Sequence, residues 1–333
     1  MASIAPIRAK VGGPIAAAVP ADAGGLRFDQ ALARLFPEFS RTRLQSWIRS
    51  GRARIDGRTL RPKDRVYAGA TVVLEPEDDA EVDAQPENLP LEIVHEDAAL
   101  LVINKAPGQV VHPGAGNRDG TLLNALLHHA PELARLPRAG IVHRLDKDTS
   151  GLLVVARTLK AHKRLVEQLQ ARTMRREYAA VAVGRLISGG TVEGQIGRHP
   201  LDRTRFAVRD SGKPAVTHYR IVERFPRHTR LRVSLETGRT HQIRVHMAHI
   251  RYPLVGDPLY GGRLRIPTDA REPLASVLRQ FRRQALHAET LGLVHPDSGT
   301  RCEWRAEPPE DLQNLLRVLR AGNAAGGGST HAV

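Results

Sequence analysis

Between Pro76 and Pro90 the sequence is acidic, proline-bearing and poor in apolar side chains. Such a segment cannot enter a hydrophobic core, so it divides the chain into two folding units. Charge is segregated around it. Residues 75 to 97 hold ten acids and no Lys or Arg, whereas residues 41 to 65 hold nine basic groups against Asp56 and Asp64, a net of +7. Only seven of the 50 basic residues are lysine, so an arginine bias contributes to the total of +15, but a uniform bias would not segregate charge. A pI near 10.8 directs attention to a polyanionic partner, because phosphate neutralisation with counterion release dominates nucleic-acid affinity. At 333 residues, with 41% hydrophobic content, there is chain enough for two cores.

The expected organisation is a disordered arm over residues 1–24, a small basic domain over 25–76, an acidic linker over 77–90, a second domain over 91–320 and a flexible tail over 321–333. The single cysteine, Cys302, excludes an internal disulfide and a cysteine-based zinc cage, which fits a reducing cytoplasm. No apolar run approaches the roughly 20 residues needed to cross a bilayer, so no membrane partner is expected. Monomer is the default oligomeric state.

In the basic domain Phe28, Leu32, Leu35 and Phe36 recur at helical spacing up to Pro37. Ser40 is placed to cap a second helix in which Leu44, Trp47 and Ile48 share an apolar face, while Arg41, Gln45, Arg49 and Arg52 line a neighbouring one. Gly51 ends that helix, and Ala53 to Arg58 reads as a strand entering an Asp-Gly turn. The basic face is either a solvated surface or a phosphate contact.

Beyond the linker, strand-like runs cover Ala99 to Asn104, Ile141 to Leu145, Leu152 to Ala156, Glu177 to Val183, Ala215 to Val222 and Leu231 to Leu235. A helix spans Thr158 to Arg172, with Leu159, His162, Leu165, Val166 and Leu169 on one stripe. This mixture makes the second domain α+β.

The stretch His143 to Gly151 sets Asp146 among His143, Arg144 and Lys147. Opposite charge nearby favours the carboxylate, which can then serve as nucleophile or base. Asp148 before Thr149-Ser150-Gly151 also suits turn chemistry, and the same reading extends to the whole stretch when it is taken alone. His241, His246 and His249 carry no carboxylate at a metal-ligand spacing, and the glycines from Gly114 to Gly120 do not make a dinucleotide fingerprint.

Residues His143-Arg144-Leu145-Asp146, Arg176-Glu177-Tyr178-Ala179-Ala180-Val181 and Thr237-Gly238-Arg239-Thr240-His241-Gln242-Ile243-Arg244-Val245-His246 together resemble three ordered blocks of the RluA/RluD family of pseudouridine synthases. The likeness runs over nearly all of residues 26 to 320, and the longer form through Gly151 is most like the large-subunit rRNA branch. Ser40 to Gly57 is similar to the core of the RNA-binding domain first seen in ribosomal small-subunit protein four. In place of the family's frequent Lys-Pro-x-Gly this chain has Lys105-Ala106-Pro107-Gly108.

The resemblance implies an α+β fold: a small N-terminal RNA-binding domain, then a synthase domain with a mixed, largely antiparallel sheet and a cleft across its middle. It implies isomerisation of uridine to pseudouridine in 23S ribosomal RNA, with no cofactor or metal. Asp146 is the implied catalytic carboxylate, Arg239 its bidentate partner, Tyr178 the group that stacks on the base, and Arg144 the filler of the gap left by a flipped uridine. Arg41, Arg49 and Arg52 are the implied RNA contacts of the small domain. Attack at the glycosidic carbon, addition to the ring and proton abstraction from the sugar all remain open for Asp146. A non-catalytic RNA-binding or ribosome-assembly factor, or a synthase acting on tRNA, are the alternative functions.

Overall fold

The computed structural model describes residues 14–37, 39, 41–76, 84–114, 117–202, 204–263, 266–267 and 272–326. The chain divides into two compact units, the first running to Asp83 and taking in Ala134–Pro137, the second made of Ala84–Leu133 and the chain from Arg138 on.

The first unit runs β1 (Ile15–Ala18), α1 (Phe28–Leu35), α2 (Arg41–Arg49), β2 (Ala53–Ile55) and β3 (Thr71–Leu74). The sheet order is β1-β3-β2, and both pairings are antiparallel. Phe28, Leu32, Leu44, Trp47 and Ile48 are buried, as their spacing predicts. Gly51, with φ of 73°, closes α2 by donating to Ile48 O while Arg52 N donates to Trp47 O, the paired bonds of a glycine C-cap. Residues 14–24, expected in a disordered arm, instead carry β1, which gains its order by completing the edge of β3. Ser40 and residues 1–13 and 77–83 lie outside the described residues.

The second unit begins with β4 (Ile93–Glu96), β5 (Leu100–Lys105), α3 (Leu122–His129), β6 (Ser150–Ala156), α4 (Leu159–Gln170) and β7 (Arg175–Val183). It continues through β8 (Gly190–Arg198), β9 (Phe206–Val208), β10 (Lys213–Arg224), β11 (His228–Leu235) and α5 (Gln242–His249). It ends with α6 (Leu274–Gln280), β12 (Leu286–Val294), β13 (Arg301–Arg305) and α7 (Glu310–Gly326). One sheet takes the order β4-β5-β6-β12-β7-β11-β10-β8-β9, with β13 also on β12. Its single parallel pair among the described residues is β6 with β12.

Helix α4 is capped by Thr158, whose hydroxyl accepts from Ala161 N, and buries Leu165 against Leu100, Val102, Leu152 and Val154. Val181 of β7 packs with Leu278 of α6 and with Leu312, Leu315 and Leu319 of α7. Alternation along β7 turns Tyr178 to the other face, so these helices leave that face free for a cleft.

Two further segments depart from their sequence pattern. Ile141 to Leu145 alternates like a strand, yet only Ile141 makes a bridge, to Val155, and the following residues run as an irregular wall. The tail expected from residue 321 is helical through Gly326, as the last turns of α7. Residues 327–333 lie outside the described residues.

Candidate active site

A loop from His143 to Thr149 carries Asp146, and the sequence around it explains why it is rigid. Lys105 is 1% exposed, and its ammonium donates to Ala106 O, Gln109 O and, across the loop, Lys147 O at 2.9 Å. Burial pushes its pKa down to about 7, against the opposing pull of Asp148 and Asp146. Arg283, held by both carboxylate oxygens of Asp311, donates to Asp148 O, and the Gln284 amide donates to Thr149 Oγ1. His143 Nε2 accepts from Val154 N, and burial, with the charge of Arg176, holds that ring neutral by lowering its pKa to about 3. Asp148 does not cap the turn: its carbonyl is used, while its carboxylate makes no hydrogen bond among the described residues.

Asp146 Oδ2 accepts from Arg244 Nη1 at 3.0 Å. The same guanidinium meets Asp257 in bidentate fashion, Nε to Oδ2 at 2.7 Å and Nη2 to Oδ1 at 2.9 Å. Asp257 is fixed in turn by the backbone N–H groups of Leu259 and Tyr260. Burial alone would lower the pKa of Arg244, but the hydrogen bonds and charge of Asp257 and then of Asp146 outweigh it, and the pKa is raised. Arg244 is therefore a permanently charged strut between a buried structural carboxylate and a more accessible one.

His241 stands beside this strut. It precedes α5 with φ of 56°, its Nε2 lies 4.0 Å from Asp146 Oδ1, and its Nδ1 lies 2.8 Å from the Tyr260 hydroxyl. Tyr260 already accepts from Phe206 N, so its own proton is free for His241 Nδ1, an arrangement that turns an Nε2–H toward Asp146.

These groups surround a cavity of about 640 Å³. Its lining includes Tyr178, five arginines (Arg138, Arg144, Arg176, Arg239 and Arg244) and one carboxylate, Asp146. Tyr178 is 6% exposed, and burial raises its pKa, so the phenol keeps its proton. Arg144 is exposed within the lining. Anionic, planar ligands suit such a chamber, cationic ones do not.

The expected Arg239–Asp146 pair is not formed. Arg239 is exposed, its Nε donates to Pro214 O and its backbone N donates to Gln242 Oε1. The partner of Asp146 is Arg244, five residues on and already inside α5. A lone Asp-Pro does not announce the role of Asp257, and the block Lys105-Ala106-Pro107-Gly108 does not reveal that its lysine is buried beneath the Asp146 loop. In the first unit Arg41 donates to the buried Asp29, which also receives Arg27 and Gln45. Arg41 is therefore committed to the module's own structure, and not wholly to a ligand. Arg49 is exposed and has no partner among the described residues. Arg52 is half-buried. Among the described residues no three His, Cys, Asp or Glu side chains are grouped to hold a metal ion, and no helix is long and apolar enough to cross a membrane.

A cleft across a largely antiparallel sheet, with one strutted carboxylate beside a buried tyrosine, is the architecture of an RNA pseudouridine synthase. Residues 99–249, which contain Asp146, Tyr178 and Arg244, match the RNA pseudouridylate synthase family. Ribosomal large subunit pseudouridine synthase D of Pseudomonas aeruginosa is 58% identical over 305 residues, 92% of this chain and 95% of that one. Its namesake from Escherichia coli K12 is 57% identical over 298 residues, 89% and 91% of the two chains. The structure of human RNA pseudouridylate synthase domain containing 4 matches at a TM-score of 0.54 and 25% identity, over 69% of this chain and 93% of that one. The chain belongs to the RluA/RluD family of pseudouridine synthases and is most like its synthase D members.

Proposed function

We propose that this protein isomerises specific uridines of 23S large-subunit ribosomal RNA to pseudouridine, in the cytoplasm, as a monomer and without added metal or nucleotide. The observation that carries the reading is the Asp257–Arg244–Asp146 chain of contacts, which holds one carboxylate at fixed geometry in an otherwise basic cavity. Asp146 is the catalytic carboxylate and Arg244 positions it. Tyr178 offers the flipped uracil a face for stacking, and its neighbours Ala180 and Ala182 on the same strand face are small. Arg144 fills the place of the extruded base, offsetting the few kcal/mol that flipping costs. Arg239, exposed in the cavity lining, meets the RNA backbone.

The first unit acts as an RNA-binding domain of the ribosomal small-subunit protein four type. Its two helices on a small sheet, the +7 run over residues 41 to 65 and the exposed Arg49 support that assignment. Arg52 and the outer edge of Arg41 complete the basic face.

Carbodiimide primer extension on ribosomal RNA from cells lacking the gene tests the proposal. The purified protein is expected to introduce pseudouridine, and Asp146→Ala to abolish it while RNA binding survives. Product from the alanine variant would remove Asp146 from the chemistry. Failure of the wild type on every RNA would leave a non-catalytic RNA-binding protein, and product on tRNA alone would move the substrate.

A further inference from the structure

Arg176 is two residues before Tyr178 on β7, so both side chains leave the same face of the strand and both line the cavity around Asp146. It is 8% exposed, its Nε is enclosed without a partner, and its side chain makes no hydrogen bond or ion pair to any described residue. Gly238 lies against it: a Cβ there would sit 3.0 Å from Nη1. Arg244, equally enclosed in the same cavity, has two carboxylates. A buried cation with no counter-charge is costly to keep, which marks Arg176 as a donor held ready for an acceptor that arrives with the substrate.

We propose that Arg176 reads the flipped uracil, donating to a ring carbonyl oxygen of the base stacked on Tyr178. This inference rests on the uridine isomerisation argued above. A guanidinium only donates, and uracil presents acceptors at both O2 and O4, whereas cytosine has an amino group at position 4 that would meet donor with donor. The reaction also gives the contact continuity. Turning uracil about its N3–C6 axis brings C5 to the place of N1 and exchanges O4 with O2, so the same N–H groups find a carbonyl before and after the turn. When the C1′–N1 bond breaks, its electron pair leaves with the base and the negative charge spreads over N1, O2 and O4. Arg176 opposes that charge until a pair from the ring forms the C1′–C5 bond, C5 gives up its proton and N1 takes one. Arg239, which is exposed, suits a backbone phosphate, while Arg176 sits too deep for a phosphodiester flanked by two riboses.

Single-turnover kinetics on the same ribosomal RNA test this with Arg176→Met and Arg176→Lys, together with binding measured against salt. Arg176→Met is expected to lower the rate constant at saturating enzyme by about 10²-fold, with the salt slope of binding unchanged and the melting temperature not reduced. Arg176→Lys recovers part of the rate. Placing 4-thiouridine at the target, a poorer acceptor, slows the wild type but not the methionine variant any further. A salt slope reduced by about one unit with the saturating rate intact would make Arg176 a phosphate contact and overturn the proposal. A lower melting temperature with no recovery by lysine would make the residue structural and overturn the proposal equally. Absence of product from the wild type would instead overturn the isomerase reading itself.

Discussion

The Arg244 guanidinium serves two carboxylates with different duties, and the difference lies in their surroundings. Asp257 is fully buried and receives two backbone N–H groups besides Arg244, whereas the Asp146 side chain retains 16% exposure on the cavity side. Removing Asp257 therefore leaves a buried guanidinium with a single partner. Breaking a buried pair in this way costs about 3–5 kcal/mol. Asp257→Ala should lose stability of that order in urea unfolding, and most of its activity, although Asp257 never meets the RNA. Replacing the pair together, Arg244→Met with Asp257→Leu, should return much of the stability and none of the activity. Wild-type turnover by Asp257→Ala would show that Asp146 holds its place without the strut. The resemblance implies Arg239 as the partner of Asp146, and nothing in its ten-residue block marks Arg244 in its stead. The choice is made by where α5 begins: Arg244 falls in its first turn and faces inward, while Arg239 precedes the helix and faces solvent.

Among the elements, β6 carries the strictest demand. Gly151 has φ of 113°, and a Cβ there would lie 2.3 Å from Ala288 O on β12, the strand with which β6 makes its parallel bridges. No side chain fits without parting the two strands. Gly151→Ala should cost more than about 2 kcal/mol and displace the loop that ends at Thr149, so melting temperature and pseudouridine formation should fall together. An alanine variant that melts like the wild type would show that the β6–β12 contact yields. The glycine was visible in the sequence as a turn signal, but its reason was not, since the neighbour it admits comes from 137 residues further on. The same separation explains which strands were legible. Runs such as Leu152 to Ala156 announce themselves by continuous apolar character. β8 reads Gly-Thr-Val-Glu-Gly-Gln-Ile-Gly-Arg and owes its conformation to pairing with β10, and β12 is interrupted by His287, Glu289 and Thr290 although most of it is buried. Conversely, Ile141 to Leu145 has strand-like character but is taken up by the cavity wall. Context outweighs propensity in each case.

At the scale of the whole molecule, two compact units and a segregated charge pattern make a separable prediction. A chain lacking residues 1–83 should keep its chemistry on a saturating RNA while losing affinity, with a shallower dependence of log K on log salt by about one unit per lost phosphate contact. An unchanged salt slope would deny the first unit its role in RNA binding. The same excess of cations acts on stability through pH. Burial lowers the pKa of His112, His228 and His246 to about 4 and of His143 to about 3, against 6.5 for the free side chain. It lowers Lys105 to about 7 from 10.5. In each case the unfolded chain binds the proton more readily than the folded one, so stability rises with pH across the gap between the two values. For the histidines this stability is complete above pH 6.5 and is lost as pH falls toward 4. For Lys105 the window runs from about 10.5 down to 7. Added protons also raise a net charge of +15, whose self-repulsion works in the same direction. The melting temperature should therefore fall by roughly 5 °C or more between pH 7.5 and pH 5, before most carboxylates have titrated. Phe in place of His246, whose Nε2 is buried without a partner, should flatten that decline. A melting temperature constant over this interval would mean that the histidines are solvated in the folded chain, contrary to their burial.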